Sequence, residues 1–200
     1  SAAVPPLSGP QSVPMKRAIL LILGLLLVGP AVAQTPWALQ PGVAEVGFVA
    51  RRFGLPTASG RFRHFEGTVA LDFERPELSR IRLRIETGSL QTGTSLVDAF
   101  VKGESMLDTA HYPMASFVSD TVTRTGDGSL SIRGQLTIRA ITRSVTATAT
   151  ADGDASGAQR GEQLAFHASA AFPRSAFNIG ADVNVVDDQV EIAINGRLSR

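Results

Sequence analysis

Between Ala44 and Leu198 the sequence alternates apolar and polar residues again and again, the period of a strand with one dry face and one wet face. The clearest run is Arg80–Glu86, in which Ile81, Leu83 and Ile85 alternate with Arg80, Arg82, Arg84 and Glu86. The same pattern sets Ala44, Val46 and Phe48 on one face, and likewise Val69, Leu71 and Phe73. Leu130, Ile132, Leu136 and Ile138 keep it across Gly134, and so do Leu164, Phe166, Ala168, Ala170 and Phe172. Val190, Ile192, Ile194 and Leu198 close the series. With residues 115–123 and 144–151 this predicts about eight strands. Arg75-Pro76, Gly126-Asp127-Gly128, Asp152-Gly153-Asp154 and Asp187-Asp188 supply turns between them. One-sided alternation calls for antiparallel sheet. That many strands close into a barrel or pair as a sandwich.

One connection is too long for a hairpin loop. Within residues 88–114, Ser95–Leu107 has helical spacing. Ser95 is the expected cap with Asp98 as its box partner, Leu96, Phe100 and Leu107 share one face, and Gly103 ends the first piece. The expectation is a short helix over one end of the barrel.

The first 33 residues read differently. Residues 1–14 are rich in Pro and Ser without periodicity, and are read as a disordered or mis-started extension. Met15 begins an export signal: Lys16 and Arg17, the apolar run Ala18–Val28, and Ala31-Val32-Ala33 as the cleavage site before Gln34. The apolar run is shorter than the ~20 residues a membrane span requires. The expected mature domain is 34–200, exported to the periplasm. Removing Lys16 and Arg17 from the 19 basic residues leaves 17 against 18 acidic ones. A near-neutral chain has no bulk attraction for nucleic acid or for an anionic membrane. There is no cysteine, which excludes disulfides, thiolate ligands and a lipidated cysteine.

The strand at 144–151 presents Val145, Ala147, Ala149 and Ala151 to its dry side, and the strand at 164–172 presents Ala168 and Ala170. A barrel of eight strands encloses just enough space to be filled by side chains or to hold one small ligand. An unfilled hole left by each alanine in place of leucine would cost about 2–5 kcal/mol. Either large neighbours such as Phe48, Phe62, Phe117 and Phe166 fill the gap, or an apolar guest does.

Four blocks in order, VGFVARRFGLPTASGRFRHFEGTVALDF at 46–73, SLQTGTSLVDAFVKGESMLDTAHYPMASFVSDTV at 89–122, GQLTIRAITRSV at 134–145, and FPRSAFNIG with DDQVEIAINGRL near the end, resemble the YceI-like family of periplasmic polyisoprenoid-binding proteins. The resemblance runs from about Trp37 to Arg200. It implies an all-β fold: an eight-stranded antiparallel, lipocalin-like barrel with a short helical insertion and a long apolar tunnel. It implies a binding protein rather than an enzyme, holding an isoprenoid lipid, a prenyl quinone or prenyl phosphate, for transport or storage. The chain departs from the family pattern around the insertion, with Arg52 for a His, Val97-Asp98 for an Arg-Asp pair, and Met106-Leu107 for an aromatic pair.

The candidate tunnel lining is Phe48, Phe62, Val69, Leu71, Ile85, Phe100, Met106, Leu107, Phe117, Leu136, Ile138, Ala147, Ala149, Phe166, Ala168 and Ile192, any of which could equally be plain core. Arg52, Asp98, Arg143 and Arg174 are candidates for a head group at the mouth, since guanidinium pairs with phosphate or quinone oxygen. Isolated strand-end charges are also simply solvated. Candidate partners are the isoprenoid lipid, transient contact with a membrane or a membrane redox protein, and a second copy of the chain. His64, His111 and His167 are widely spaced, and no metal ligand set, cofactor or catalytic residue is expected. An acid paired with His167 inside the barrel would favour an enzyme. A barrel with a solid interior would favour an interaction or stress protein.

Overall fold

A computed structural model describes residues 3, 36–126, 128–152 and 163–198. Apart from Ala3, the extension read over 1–14 and the export signal over 15–33 lie outside them. The described chain forms eleven strands: β1 (Trp37–Leu39), β2 (Ala44–Arg52), β3 (Leu55–Phe62), β4 (Phe65–Ala70), β5 (Arg80–Glu86), β6 (Leu90–Gln91), β7 (Met114–Gly126), β8 (Ser129–Ile138), β9 (Ile141–Asp152), β10 (Leu164–Pro173) and β11 (Gln189–Leu198). One helix, α1 (Ser95–Lys102), follows β6.

The register shows why eight strands were expected and eleven are found. β1 pairs with β4 (Leu39 opposite Gly67) while β2 pairs with β3 (Val46 opposite Phe62). Residues 37–52 therefore run beside 55–70 as one broken path beside another. In the same way β3 pairs with β6 (Phe62 opposite Leu90) and β4 with β5 (Phe65 opposite Ile85), so 55–70 runs beside 80–91. The eleven segments thus trace eight paths, three of them interrupted. All neighbours are antiparallel, and β11 pairs with β2 to bring the last path back to the first. The breaks are where the sheet bends: at Pro41-Gly42, at Arg63-His64 and at the 3-10 turn over 87–89. Backbone bonds still cross the second and third breaks, from the Arg63 N–H to the Ser89 carbonyl at 3.2 Å and from the Glu86 N–H to the His64 carbonyl at 3.1 Å. Kinks of this kind let a sheet curl without losing its ladder.

Two expectations are corrected. The path that carries Val69 begins at Leu55 with β3 and continues as β4, and Leu71–Phe73 lie past its end. Its first half reads LPTASGRF, in which Pro56 and the small Ser59-Gly60 hide the alternation. Ser95 does not cap α1: Thr94 stands at the cap position without a side-chain bond. The Asp98 carboxylate instead receives the N–H and the hydroxyl of Thr92, both at 2.6 Å. Leu96 turns outward, 81% exposed.

Aromatic contacts anchor the packed regions. Trp37 meets Phe73 edge-on at 6.1 Å, and Phe172 meets Phe177 edge-on at 5.3 Å. Such pairs add about 0.5–1.5 kcal/mol beyond the area they bury. The β8–β9 turn places Arg139 and Ala140 at positive φ, 51° and 59°, which L-residues resist. Arg139 offsets that strain by donating to the carbonyls of Met106 at 2.7 Å and Asn178 at 2.6 Å, with its guanidinium 5.7 Å from the Tyr112 ring centroid. One side chain thereby ties the hairpin to the insertion and to the β10–β11 connection.

Gly134 in β8 has no room for a side chain, since an added Cβ would press on the Val118 carbonyl oxygen of β7 and stand 2.6 Å from the Phe117 ring. Gly134→Ala should displace Phe117 and lower stability by about 1–3 kcal/mol, read from the urea midpoint.

Candidate functional site

The dry faces of the curled sheet do not fill its interior. A cavity of about 400 Å³ is bounded by β2, β3, β5, β7, β8, β9, β10 and β11, by α1 and by residues 183–186. A second, of about 140 Å³, lies against β1, β4, the β7–β8 turn and the far ends of β9–β11. The two share Leu39, Ile81, Ile132, Ala168 and Ile194 as wall, so they adjoin across the middle of the sheet.

The register explains the empty space. Ala149 of β9 lies opposite Leu130 of β8 on one side and opposite Ala168 of β10 on the other. Ala168 in turn faces Ile194 of β11, which faces Val46 of β2. Two small residues side by side in a row of large ones leave a gap that neither neighbour spans. Ala147 opposite Ile132 continues the gap along β9. Nearer one end, Ala50 of β2 pairs with Ala58 of β3, and both are cavity wall.

Of the sixteen lining candidates, Phe48, Phe62, Ile85, Phe100, Met106, Leu107, Phe117, Leu136, Ile138, Ala147 and Ile192 border the larger cavity. Val69, Leu71, Ala149 and Phe166 border the smaller, and Ala168 borders both. The sequence pattern does not single out Thr57 and Ala58, because β3 lacks clear alternation, nor Ala50, which continues the Ala44, Val46 and Phe48 face of β2. The pattern also passes over Val97 and Val101 on α1 and Val183, Val185 and Val186 on the β10–β11 connection. Gly54 is the one sequence signal for the β2–β3 hairpin, whose two turn residues, Phe53 and Gly54, take positive φ of 52° and 79°.

The four charged candidates are placed less uniformly. Arg174 borders the larger cavity and is 7% exposed. Its guanidinium is occupied by backbone carbonyls: Ile179 at 2.8 Å, Asp187 at 3.3 Å, and those of Gly180 and Val183. It organises residues 179–187 into a cap and has little left to give a ligand. Arg143 shares the register face of Val145 and Ala147 but stands exposed beyond the cavity, donating to the Thr142 carbonyl at 3.0 Å. Arg52 is exposed, its guanidinium 5.2 Å from the Phe53 ring centroid. Asp98 binds Thr92 as described. The hydroxyl bond, then the N–H bond, holds its carboxyl below the ordinary 3.8.

Histidine–acid contacts occur, but not on either cavity wall. His111 Nδ1 lies 2.8 Å from Asp108, and His64 Nδ1 lies 3.1 Å from Glu86. His167 is exposed and meets the amide oxygen of Asn195 at 2.6 Å, not an acid. Among the described residues no group of three His, Asp or Glu could hold a metal ion. The larger cavity is walled by apolar side chains except for Thr57, Thr87, Ser116, Ser169 and Arg174. Such a wall can solvate an apolar guest.

The YceI-like domain family matches residues 37–198. The chain belongs to the YceI-like family. Protein YceI of Escherichia coli is 30% identical over 152 residues, covering 76% of this chain and 79% of that one. The crystal structure of BcnA from Burkholderia cenocepacia superposes with a TM-score of 0.70 at 26% identity, covering 78% of this chain and 96% of that one. A polyisoprenoid binding domain from Saccharophagus degradans, implicated in plant cell wall breakdown, shares the fold with a TM-score of 0.58 at 11% identity, over 83% of this chain and 100% of that one.

Arg174→Met should strand several buried carbonyls and lower stability by about 3 kcal/mol, measured by urea unfolding. Because the folded-state pKa of Asp98 is depressed, its contribution is present above 3.8 and is lost as pH falls through the folded value. Asp98→Asn should therefore lower the melting temperature at pH 7, and the difference from the unsubstituted protein should close in acid below pH 3.8.

Proposed function

We propose that this protein is a periplasmic binding protein that keeps an isoprenoid lipid in its barrel, for transport or storage, and is not an enzyme. The observation that carries the proposal is the pair of adjoining apolar cavities whose space comes from Ala147, Ala149 and Ala168. Membership of the YceI-like family and the likeness to a polyisoprenoid binding domain support the class of guest. A flexible, methyl-branched chain can extend from one cavity into the other along the wall they share at Ala168. Each methylene buried is worth about 0.8 kcal/mol, so affinity grows with chain length and needs no strong polar contact. A barrel with a solid interior, the mark of a pure interaction protein, does not fit a cavity of about 400 Å³.

The head group follows from the wall. Arg174 is the one charged residue among the described residues lining the larger cavity, and its donors are engaged. Uncharged oxygens suit hydroxyls such as Thr57 and Ser116, so a prenyl quinone fits better than a prenyl phosphate. The export signal read over residues 15–33 supports a periplasmic location.

Organic extracts of the protein purified from a periplasmic fraction should contain a prenyl lipid by mass spectrometry. An empty barrel that also takes up no prenyl quinone from detergent micelles would overturn the proposal. Ala147→Leu with Ala168→Leu should keep or raise thermal stability by filling space. The pair should weaken prenyl quinone uptake about tenfold or more, the loss expected from roughly two methylenes of burial.

A further inference from the structure

The larger cavity opens at one identifiable place. Of all its lining residues only Thr57, Val97, Phe100 and Val185 are exposed, so they mark the mouth. The sheet explains the opening. β6 pairs only with Arg61 and Phe62, and the chain then leaves the sheet to form α1. Among the described residues no strand covers the outer edge of β3 from Leu55 to Gly60. The mouth is thus a side portal between that free edge, α1 and residues 183–186.

Its rim is greasy. Phe53 is 85% exposed and Leu55 70%, and Leu96 on α1 stands out as far. Folding does not require that exposure, and the rim is held in place. Asp187 accepts the N–H groups of Phe53 at 3.2 Å and Gly54 at 3.3 Å, and its own N–H donates to the Arg51 carbonyl at 2.7 Å. These bonds fasten the tip of the β2–β3 hairpin to the loop that carries Val185. Arg52 lies against the Phe53 ring with its charge in solvent, while neighbouring Arg51 is paired with Glu191 at 2.7 Å.

From this geometry we infer that the rim formed by Phe53, Leu55, Leu96, Val97, Phe100 and Val185 docks on an anionic lipid bilayer, and that the guest passes sideways between α1 and the β3 edge. The inference rests on the proposed lipid guest. Val97, Phe100 and Val185 are at once cavity wall and outer surface, so apolar surface runs unbroken from the interior to the rim. An insoluble chain can follow such a surface out of a bilayer without crossing water. A protein partner adding a strand to the β3 edge is disfavoured by Pro56, which lacks a donor. An exposed apolar tip beside a free arginine is the combination that inserts among acyl chains and meets a phosphate head group.

The test is flotation with vesicles of phosphatidylethanolamine and phosphatidylglycerol, paired with uptake of a prenyl quinone from detergent micelles. The unsubstituted protein should float with the vesicles. Phe53→Ser/Leu55→Ser/Leu96→Ser should reduce the floated fraction about tenfold or more, with melting temperature and micellar uptake unchanged. Leu78→Ser, which removes an exposed apolar residue of the 3-10 turn at 76–78, should float normally. Failure of the unsubstituted protein to float, or equal flotation of the triple variant, would overturn the docking surface. So would sedimentation showing dimers that the triple variant abolishes, since a second copy would then cover the rim. Normal flotation with no micellar uptake would sink the lipid-holding function and leave the docking surface standing.

Discussion

The direct pairing of Ala149 with Ala168, two methyl groups where a barrel of this width wants one large side chain, governs the rest of the structure. Protein interiors pack near the density of organic crystals, and space left over is costly. Here the space is built into consecutive cross-strand rows, with Leu130 and Ile132 opposite Ala149 and Ala147. It cannot collapse easily, because hydrogen bonds fix the distance between neighbouring strands whatever their side chains. A curled sheet with small inward residues therefore keeps a void that a helical bundle of the same composition would close.

Holding the void open places demands on the ends of the barrel. At the end bearing α1 the irregular chain is secured chiefly through carbonyls bonded to arginine. Arg139 joins the β8–β9 turn to residues 106 and 178, and Arg174 gathers residues 179–187. Asp187 and Asp188 complete the arrangement, the first holding the β2–β3 turn and the second accepting the Ser175 hydroxyl at 2.7 Å. Two arginines and two aspartates thus do for loops what a ladder does for strands. The Ser175 hydroxyl bond is the main reason the Asp188 carboxyl titrates below its ordinary value.

Much of this was legible in the chain. Period two marks a segment of most of the eight strand paths, and the small inward residues of β9 and β10 mark where space would lie. What escaped detection had physical reasons. β3 contains Pro56 and Gly60, and its inward residues include Ala58, so it shows neither high strand propensity nor strong alternation. The cap on α1 was misplaced because Asp98 fits a box with Ser95 in sequence, while in space it reaches back to Thr92. Arg174 was a reasonable anion ligand by residue type. Its engagement depends on where residues 179–187 fold, which no local pattern encodes. Charged groups are the hardest to assign from sequence for that reason: their partners are set by the tertiary structure.

The most direct test of the central claim is a crystal structure of the protein purified without delipidation, inspected for density along the axis from Val185 past Ala168 to Leu164. Continuous elongated density should lie against Ala147, Ala149 and Ala168. Side chains closed onto those three alanines, with no space between them, would contradict it.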